Sequence, residues 1–375
     1  MASLLFKFIL PNGEEIRIVS PTYIEDGNPQ LDVKLPIVCL SGSADERGAA
    51  HGTLLCERIE KTVDFYRSKL FSQWSDTLLK SVSLEFFERI KSFSQEYAIE
   101  LQAIASHAGR ALWEITMLVS RTEILQSTAP NECTTLYFKN QGILGQNWDW
   151  LEDFENLVVI FDVLRQDGHR FLALGEPGFV KFGLNTSGIG VCLNILTCGT
   201  PTGGIPVHIL LRKVLDSRSI TEAYQAIAQA PRATMSSILI ADEGGRYQNL
   251  ELAGSDLFEL TPSEVEVNSI VVRTNGYLTD EKAKVPAPKE TASSADRIRR
   301  ARTLALSSTA QNEANMLAIL LDTEGSLPIC RKSENRPNGL SDGTVTTVVM
   351  NLKTKTFIFS RGNPRNKEFS FVSLI

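Results

Sequence analysis

The spacing of hydrophobic positions changes at about residue 128, and this change divides the chain into a helical part and a strand-rich part. Residues 4–20 alternate between apolar and polar around Pro11-Asn12-Gly13, which predicts a β-hairpin, and residues 36–40 are a short candidate for a buried strand. From Ala44 to about Ser127, apolar side chains recur at helical spacing. The pattern therefore predicts early strands followed by several helices.

A turn signal at 128–131 ends the helical part. The chain after it contains β-rich segments at 133–138, 143–150, 157–164, 171–175 and 180–196, separated by Gly, Asp and Asn turns. Further strands are predicted at 236–241, 248–252 and 269–274, with a closing pair at 343–352 and 356–361. Helices are predicted near 207–217, 221–230, 295–307 and 313–321, and the stretch 282–294 is predicted to be an exposed loop. Strands with helices before and between them indicate an α+β protein.

Composition and charge narrow the classes of function. The 375 residues are 43% hydrophobic, which is enough for a large core in one domain or two closely packed ones. A net charge of −6 without a basic stripe argues against nucleic-acid binding. The first residues lack a signal-peptide pattern, and no apolar run approaches the ~20 residues that a membrane span needs. We therefore expect a cytoplasmic protein without membrane or nucleic-acid partners.

Six cysteines are scattered through the chain without metal-ligand spacing, which favours reduced thiols over a disulfide framework. They are Cys39, Cys56, Cys133, Cys192, Cys198 and Cys330. The chain contains no Gly-x-Ser-x-Gly elbow, no phosphate-binding loop and no His-Glu-x-x-His. Neither a metal nor a nucleotide cofactor is implied.

Cys133 lies where a loop meets a predicted strand, and Thr134 and Thr135 follow it. A hairpin turning at 139–144 would bring Asp149 back alongside this cysteine. Considered alone, a buried cysteine in an ordinary hairpin is the more frequent outcome, because free cysteines usually serve as packing residues. The alternative is a thiol nucleophile presented at the end of a sheet.

The run Cys-Thr-Thr at 133–135, followed by Gly-Gln-Asn-Trp-Asp at 145–149, resembles the acyl-coenzyme A:6-aminopenicillanic acid acyltransferase family of N-terminal-nucleophile (Ntn) hydrolases. Further runs resemble that family in the same order along the chain: Glu46-Arg47-Gly48, His51-Gly52, 120–124, 183–191 and 206–212. Together these runs extend from about residue 40 to about residue 350. The resemblance implies an αββα four-layer sandwich with a helix-rich N-terminal segment.

The resemblance also implies a precursor that cleaves itself between Glu132 and Cys133. The products would be an α fragment, 1–132, and a β fragment, 133–375, which stay associated as one compact unit. The freed α-amine of Cys133, with an ordinary pKa of about 7.7–8.0, would act as the base for its own thiol, so no histidine is needed. A papain-like Cys–His pair is the alternative; the four histidines are His51, His107, His169 and His208.

Other site residues follow from the same resemblance. Asp149 would orient the Cys133 amine, and Asn275, which precedes Gly276, would support the oxyanion; an ion-paired aspartate and an ordinary Asn-Gly turn are the structural alternatives. The candidates for contact with substrate are Thr134, Thr135, Asn194 and Arg331, although a structural salt bridge is equally compatible with Arg331. Arg336 is the second candidate for a functional arginine late in the chain.

The resemblance implies an acyltransferase or linear-amide hydrolase that acts on small-molecule amides or acyl thioesters, with an amine as acceptor and in a setting of secondary metabolism. Coenzyme A would enter only as part of a thioester substrate. One departure keeps an alternative open: Glu132 stands where a well-known member of the family has Gly, and Gly reaches strained backbone conformations more easily. The alternative is an unprocessed, non-catalytic relative that acts as a binding module.

Overall fold

The computed structural model describes residues 3–25, 31–125, 133–196, 203–279, 292–308, 310–336 and 339–374. The helices within these ranges are α1 Ala44–Leu54, α2 Cys56–Phe65, α3 Asp76–Phe93, α4 Gln95–His107, α5 Leu112–Val119, α6 Arg121–Leu125, α7 Val207–Leu215, α8 Ile220–Ala228, α9 Pro262–Val265, α10 Ala292–Ser307 and α11 Glu313–Leu320. The strands there are β1 Leu4–Ile9, β2 Glu15–Val19, β3 Ile37–Gly42, β4 Thr134–Phe138, β5 Ile143–Leu151, β6 Val159–Arg165, β7 Arg170–Glu176, β8 Phe179–Asn185, β9 Ile189–Ile195, β10 Met235–Asp242, β11 Tyr247–Ala253, β12 Asp256–Glu259, β13 Glu266–Val267, β14 Ile270–Arg273, β15 Glu334–Asn335, β16 Ser341–Asn351, β17 Thr356–Ser360 and β18 Glu368–Ser373.

The strands form two sheets. The first sheet has the order β1-β2-β18-β17-β16-β5-β4-β14-β13, with β15 added beside β16, and the second has the order β12-β11-β10-β9-β8-β7-β6-β3. Most neighbours are antiparallel, but β18 pairs with β2 and β3 pairs with β6 in parallel. The predicted hairpins β1–β2 and β4–β5 are both confirmed.

Four layers stack on one another. Helices α10 and α11 pack on the outer face of the first sheet, while α7 and α8 pack on the outer face of the second. The inner faces meet where β4 and β5 contact β9. This is the αββα sandwich that the resemblance implied, and the α+β class is confirmed.

Strand β4 is covered on both of its faces. Leu136 and Phe138 point to the core beneath α10 and α11, whereas Tyr137 between them points to the core between the sheets. All five residues of the strand are buried. A strand that is covered on both faces loses the simple polar–apolar alternation, because water reaches neither face.

The N-terminal part contributes to both sheets as well as supplying α1–α6. Strands β1 and β2 extend the first sheet through β18, and β3 closes the edge of the second sheet against β6. Strands from both sides of Cys133 therefore share each sheet. The described residues of 1–132 and of 133–375 are interleaved.

The Arg-Gly and His-Gly runs lie on α1, which packs against α4. A Cβ on Gly48 would lie 2.4 Å from the Glu100 carbonyl oxygen, and one on Gly52 would lie 2.5 Å from that of Ile104. The glycines are needed because the two helices approach closely. Between them, the buried Arg47 guanidinium contacts the Glu100 carboxylate at 2.7 Å.

Three expectations need correction. Of the predicted loop 282–294, residues 282–291 lie outside the described residues. Its last three positions belong to α10, which begins at Ala292, and Ser293 and Ser294 are buried rather than exposed. The predicted closing pair of strands is followed by a third strand, β18. The short elements β12, α9 and β13 were not predicted.

The turn expected at 128–131 lies outside the described residues. Among the helices that the structure describes, none is long and apolar enough to cross a membrane.

Candidate active site

Cys133 immediately precedes β4 and is buried, with 6% of its surface exposed. Thr134 pairs with Asn147 on β5, which places the cysteine beside Trp148. Its side chain belongs to the core between the two sheets, where the rings of Trp148 and Trp150 stack 6.5 Å apart. The thiol is therefore held between the sheets at the end of a hairpin.

Side chains from three distant segments hold the backbone of Cys133. Its N–H donates to Asn275 Oδ1 at 2.6 Å. Its carbonyl oxygen accepts from Asn194 Nδ2 at 3.0 Å and from Arg297 Nη1 at 2.7 Å. Both polar backbone groups of this one residue are thus fixed from outside its own strand, which leaves little freedom to move at this point in the chain.

The orientation of the Asn275 amide follows from its partners. Nδ2 donates to the Ile195 carbonyl at 2.8 Å, and Oδ1 accepts from the Cys133 N–H and from Arg297 Nη2 at 3.2 Å. A flipped amide would place two donors face to face at Cys133 and at Arg297, and two oxygen acceptors face to face at Ile195. The Asn275 oxygen therefore faces Cys133 and Arg297, and its nitrogen faces Ile195.

The two threonines after Cys133 contact the same side chains. Thr135 Oγ1 donates to Asn194 Oδ1 at 2.9 Å, and Thr134 Oγ1 accepts from Arg297 Nη1 at 2.9 Å. These contacts connect Thr134, Thr135 and Asn194 to the Cys133 carbonyl.

Sequence reasoning missed Arg297. It lies on α10, is fully buried, and also donates from Nε to Ser293 Oγ at 3.1 Å. Because an exposed loop was predicted up to residue 294, the start of this helix at Ala292 was not recognised. No feature of the sequence around Arg297 indicates that it contacts a cysteine 164 positions away.

Asp149 lies on β5 opposite Thr344 and is buried. Burial raises the pKa of the Cys133 thiol most, the Asp149 carboxylate also raises it, and the resulting pKa is about 11. The Asp149 backbone N–H, which donates to the sulfur, and the cations Lys181 and Arg297 lower that pKa. The hairpin therefore places both the charge and the backbone of Asp149 next to the thiol.

A small cavity of about 20 Å³ adjoins Cys133. Its lining combines apolar groups, such as Trp148 and Leu193, with Arg121, Lys181 and His208. This volume is about that of one water molecule. The thiol thus faces a small space lined by aromatic rings and buried basic side chains.

Lys181 and its partners form a buried ionic cluster that sequence reasoning did not find. Lys181 Nζ lies 3.1 Å from Glu176 Oε1 and 4.2 Å from the centre of the Trp148 ring. Glu176 also binds the Arg121 guanidinium and accepts from the Tyr66 hydroxyl at 2.7 Å. A usable signal was present, because a lysine inside the otherwise apolar run Phe179-Val180-Lys181-Phe182 is unusual.

The histidines do not form a Cys–His pair in the described part of the chain. His208 lines the cavity, but its Nδ1 lies 3.2 Å from the Val119 carbonyl oxygen, so Nδ1 carries the proton. His51 Nε2 accepts from the Gly178 N–H, and His169 Nε2 contacts the Leu215 carbonyl. His107 contacts the Ala103 carbonyl. None of these contacts involves Cys133.

The two late arginines both contact Asp342. Arg336 Nε donates to Asp342 Oδ1 at 2.5 Å, and Arg331 Nη1 lies 3.5 Å from Oδ2. Asp342 pairs with Leu151 on β5, two residues beyond Asp149. Arg331 therefore forms an ion pair with a residue of β16, the strand next to β5. It does not belong to the lining of the cavity at Cys133.

Among the residues that the structure describes, no group of three or more His, Cys, Asp or Glu side chains is arranged to hold a metal ion. The described cysteines, which exclude Cys198, are free thiols. The chemistry that this arrangement supports is that of a thiol, backbone and side-chain amides, and buried charges.

Comparisons with known proteins agree on one family. The family model described as acyl-coenzyme A:6-aminopenicillanic acid acyl-transferase matches residues 138–366. A curated protein of Emericella nidulans, the acyl-coenzyme A:6-aminopenicillanic-acid-acyltransferase 40 kDa form, is 28% identical over 252 residues, which cover 65% of this chain and 70% of that protein.

Solved structures with partial similarity include an N-acylethanolamine-hydrolyzing acid amidase ortholog from Caenorhabditis elegans. It has a TM-score of 0.41 and 18% identity, and covers 59% of this chain and 93% of its own. A mutant of the conjugated bile acid hydrolase from Clostridium perfringens has a TM-score of 0.45 and 16% identity, and covers 65% and 92%.

Proposed function

Because the chain belongs to the acyl-coenzyme A:6-aminopenicillanic acid acyl-transferase family, we propose that Cys133 is the nucleophile of a self-processed acyltransferase or amide hydrolase. Membership of the family places the chain among enzymes of the acyltransferase and amidohydrolase class. The single observation that carries the proposal is the fixation of Cys133 by Asn275, Asn194 and Arg297. A cysteine that serves only as packing does not need both of its backbone groups anchored by buried polar side chains.

In the proposed reaction, cleavage of the Glu132–Cys133 bond first gives Cys133 a free α-amine. This amine takes the thiol proton, and the thiolate attacks the carbonyl carbon of an amide or thioester. Asn275 contributes its second amide N–H to the oxyanion, and Asp149 orients the amine. The acyl group on Cys133 then passes to an amine acceptor or to water, and the thiol is regenerated.

The surrounding side chains have supporting roles in this proposal. Thr134, Thr135 and Asn194 connect the Cys133 carbonyl to β9 and α10, so they shape the wall against which substrate binds. Arg331 stays a candidate for binding a substrate carboxylate, which would require it to exchange its contact with Asp342. Because strands from both fragments share each sheet, 1–132 and 133–375 would remain together after cleavage.

We propose small-molecule amides and acyl thioesters as substrates. The name of the Emericella relative supports testing an acyl-coenzyme A as donor and 6-aminopenicillanic acid as acceptor. Product analysis with and without an amine acceptor separates transfer from hydrolysis. No cofactor takes part in the proposed reaction, since coenzyme A would leave as the product of a thioester substrate.

The test is denaturing electrophoresis of the purified full-length protein, with sequencing of the larger fragment from its N-terminus. We expect two fragments, with cysteine as the first residue of the larger one. Cys133→Ala should remain uncleaved and inactive, whereas Cys56→Ala, on the half-exposed face of α2, should behave as the wild type. A chain that stays intact and inert toward acyl substrates would instead support the non-catalytic binding module.

A further inference from the structure

Self-cleavage poses a proton-transfer problem that the mature enzyme does not have. Before cleavage, the nitrogen of Cys133 belongs to a peptide bond and donates its single hydrogen to Asn275. It has no lone pair with which to accept a proton, so the α-amine that serves as base in the proposed turnover does not yet exist. Burial meanwhile holds the pKa of the thiol at about 11. The precursor therefore needs another base near the sulfur.

Lys181 is suitably placed. It lines the same cavity as Cys133, and that cavity has a volume of about 20 Å³. A space of this size accommodates one water molecule, and a water there would connect the thiol to the lysine. The amine is held in place by Glu176 on one side and the Trp148 ring on the other.

The charges around Lys181 favour a neutral amine at physiological pH. Burial lowers its pKa most, and the nearby Arg121 guanidinium lowers it further. Glu176, which is also hydrogen-bonded to it, and Cys133 raise the pKa, and the result is about 7. Tyr66, His208 and Asp149 are further titratable groups near the cluster. Burial raises the pKa of Tyr66 and lowers that of His208, so both are neutral.

We propose that Lys181 is the base that removes the thiol proton of Cys133 during self-cleavage, an inference that rests on the proposed function of Cys133. The neutral amine takes the proton, and the thiolate attacks the carbonyl carbon of Glu132. The C–N bond then breaks, Lys181 returns the proton to the leaving nitrogen, and a thioester with a free α-amine results. Water hydrolyses the thioester, which releases the carboxylate of residue 132 and restores the thiol. A reaction that occurs once per chain tolerates an unfavourable first proton transfer.

The proposal is tested by following cleavage of newly synthesised full-length chain in a cell-free system, chased at a series of pH values. In the wild type, the cleavage rate should rise with pH and level off above about 7, as Lys181 loses its proton. Lys181→Met should cleave about a hundredfold more slowly and lose that pH midpoint, because general bases contribute about 10²–10⁴-fold. The matched control is Lys139→Met, which removes a lysine paired with Glu266 at the β4–β5 turn and should leave the profile unchanged.

Glu176→Gln is a second variant that keeps the lysine. Because Glu176 raises the Lys181 pKa, its neutralisation should move the midpoint of the cleavage profile to lower pH. This variant tests the proposal even if Lys181→Met does not fold. Added primary amines should also accelerate cleavage of Lys181→Ala, whose shortened side chain leaves room for them.

The outcomes separate this inference from the proposed function. A wild-type rate and profile in Lys181→Met, or an unmoved midpoint in Glu176→Gln, would overturn the role of Lys181 while leaving Cys133 as nucleophile. A wild-type chain that never cleaves at any pH, like Cys133→Ala, would overturn both. Loss of the midpoint in Lys181→Met together with its shift in Glu176→Gln would support the proposal.

Discussion

The side-chain carbonyl of Asn275 accepts a hydrogen bond from the backbone N–H of Cys133 at 2.6 Å, across 142 positions of the chain. The same amide donates to Ile195, so its oxygen faces Cys133 and its nitrogen faces β9. After cleavage, the Cys133 nitrogen would become an amine beside that oxygen. In the proposed reaction, the Asn275 side chain would therefore hold the amine with its oxygen and present an N–H to the substrate, and substitutions of Asn275 can test these two roles separately.

We expect Asn275→Asp to lower kcat for an acyl donor by about 10²–10³-fold with little change in KM, because the loss of one oxyanion donor has effects of this size. The carboxylate still accepts from the Cys133 nitrogen, so cleavage should continue. Asn275→Ala removes both contacts and should impair cleavage as well as turnover. Steady-state kinetics and fragment analysis measure the two effects.

Asn335→Ala, at an exposed position on β15, is the control and should match the wild type in both assays. Full turnover by Asn275→Asp would show that the amide N–H does not support the oxyanion.

Arg297 links the Cys133 carbonyl, the Thr134 hydroxyl and Asn275. Arg297→Met leaves these acceptors without their buried cation, and we expect the free energy of unfolding to fall by about 3 kcal/mol. Arg297→Lys retains the charge but not the planar set of donors, so it should recover only part of the loss. Urea titration gives both values.

The control for this prediction is Arg299→Met, because Arg299 is exposed on the same helix and pairs with Asp296. Equal unfolding midpoints for Arg297→Met and Arg299→Met would contradict the prediction.

The local sequence pattern was sufficient to predict most helices and strands, but it did not predict which distant strands pair. The β4–β5 hairpin and helices α7 and α8 follow from short-range periodicity and turn residues, and they were predicted to within a few positions. Strand β18 was missed; it pairs in parallel with β2, some 350 residues earlier, and such pairing leaves no local signal.

The residues of the candidate site also differ in whether local sequence could place them. Cys133 and Asp149 are near in sequence and could be placed together through one hairpin, whereas Asn275 entered only through the family resemblance. Arg297 and Lys181 were missed because their roles arise from burial and from neighbours on other elements. A charged residue inside an apolar run, such as Lys181, was the one available indication.

The close packing of α1 on α4 gives a third prediction. A methyl group on Gly48 would lie 2.7 Å from the Ala103 Cβ as well as 2.4 Å from the Glu100 carbonyl oxygen. We expect Gly48→Ala to lower the free energy of unfolding by about 1–3 kcal/mol, since backbone atoms in a packed interface cannot easily move apart. Thr53→Ala, at an exposed position of α1, is the control. A Gly48→Ala protein as stable as this control would show that the helices separate at no cost.

His51 should make the protein less stable in mild acid. Burial lowers its pKa from 6.5 to about 4; Glu100 opposes this shift, and Arg212 adds to it. The folded state thus binds fewer protons than the unfolded state, and its stability is complete above pH 6.5 and falls as the pH is lowered toward 4. The loss should reach about 3 kcal/mol, because each tenfold change in proton affinity corresponds to about 1.4 kcal/mol.

Urea unfolding at several pH values measures this effect. His51→Gln retains an acceptor for the Gly178 N–H but does not titrate, so its stability should vary less between pH 6.5 and 4. His107→Gln, on α4, should keep the wild-type slope. An unchanged slope in His51→Gln would show that another group causes the acid sensitivity.

Glu123 should have the opposite dependence. Burial raises its pKa to about 7, although the Val207 N–H and the Arg121 guanidinium favour its charged form. The folded state therefore binds more protons than the unfolded state, and stability falls as the pH rises from about 4.5 to about 7. Glu123→Gln keeps an acceptor for Val207 without the charge, so its stability relative to the wild type should rise over this range by up to about 3 kcal/mol. The exposed Glu57→Gln on α2 should show no such trend, and a difference between Glu123→Gln and wild type that is constant with pH would show that Glu123 ionises normally.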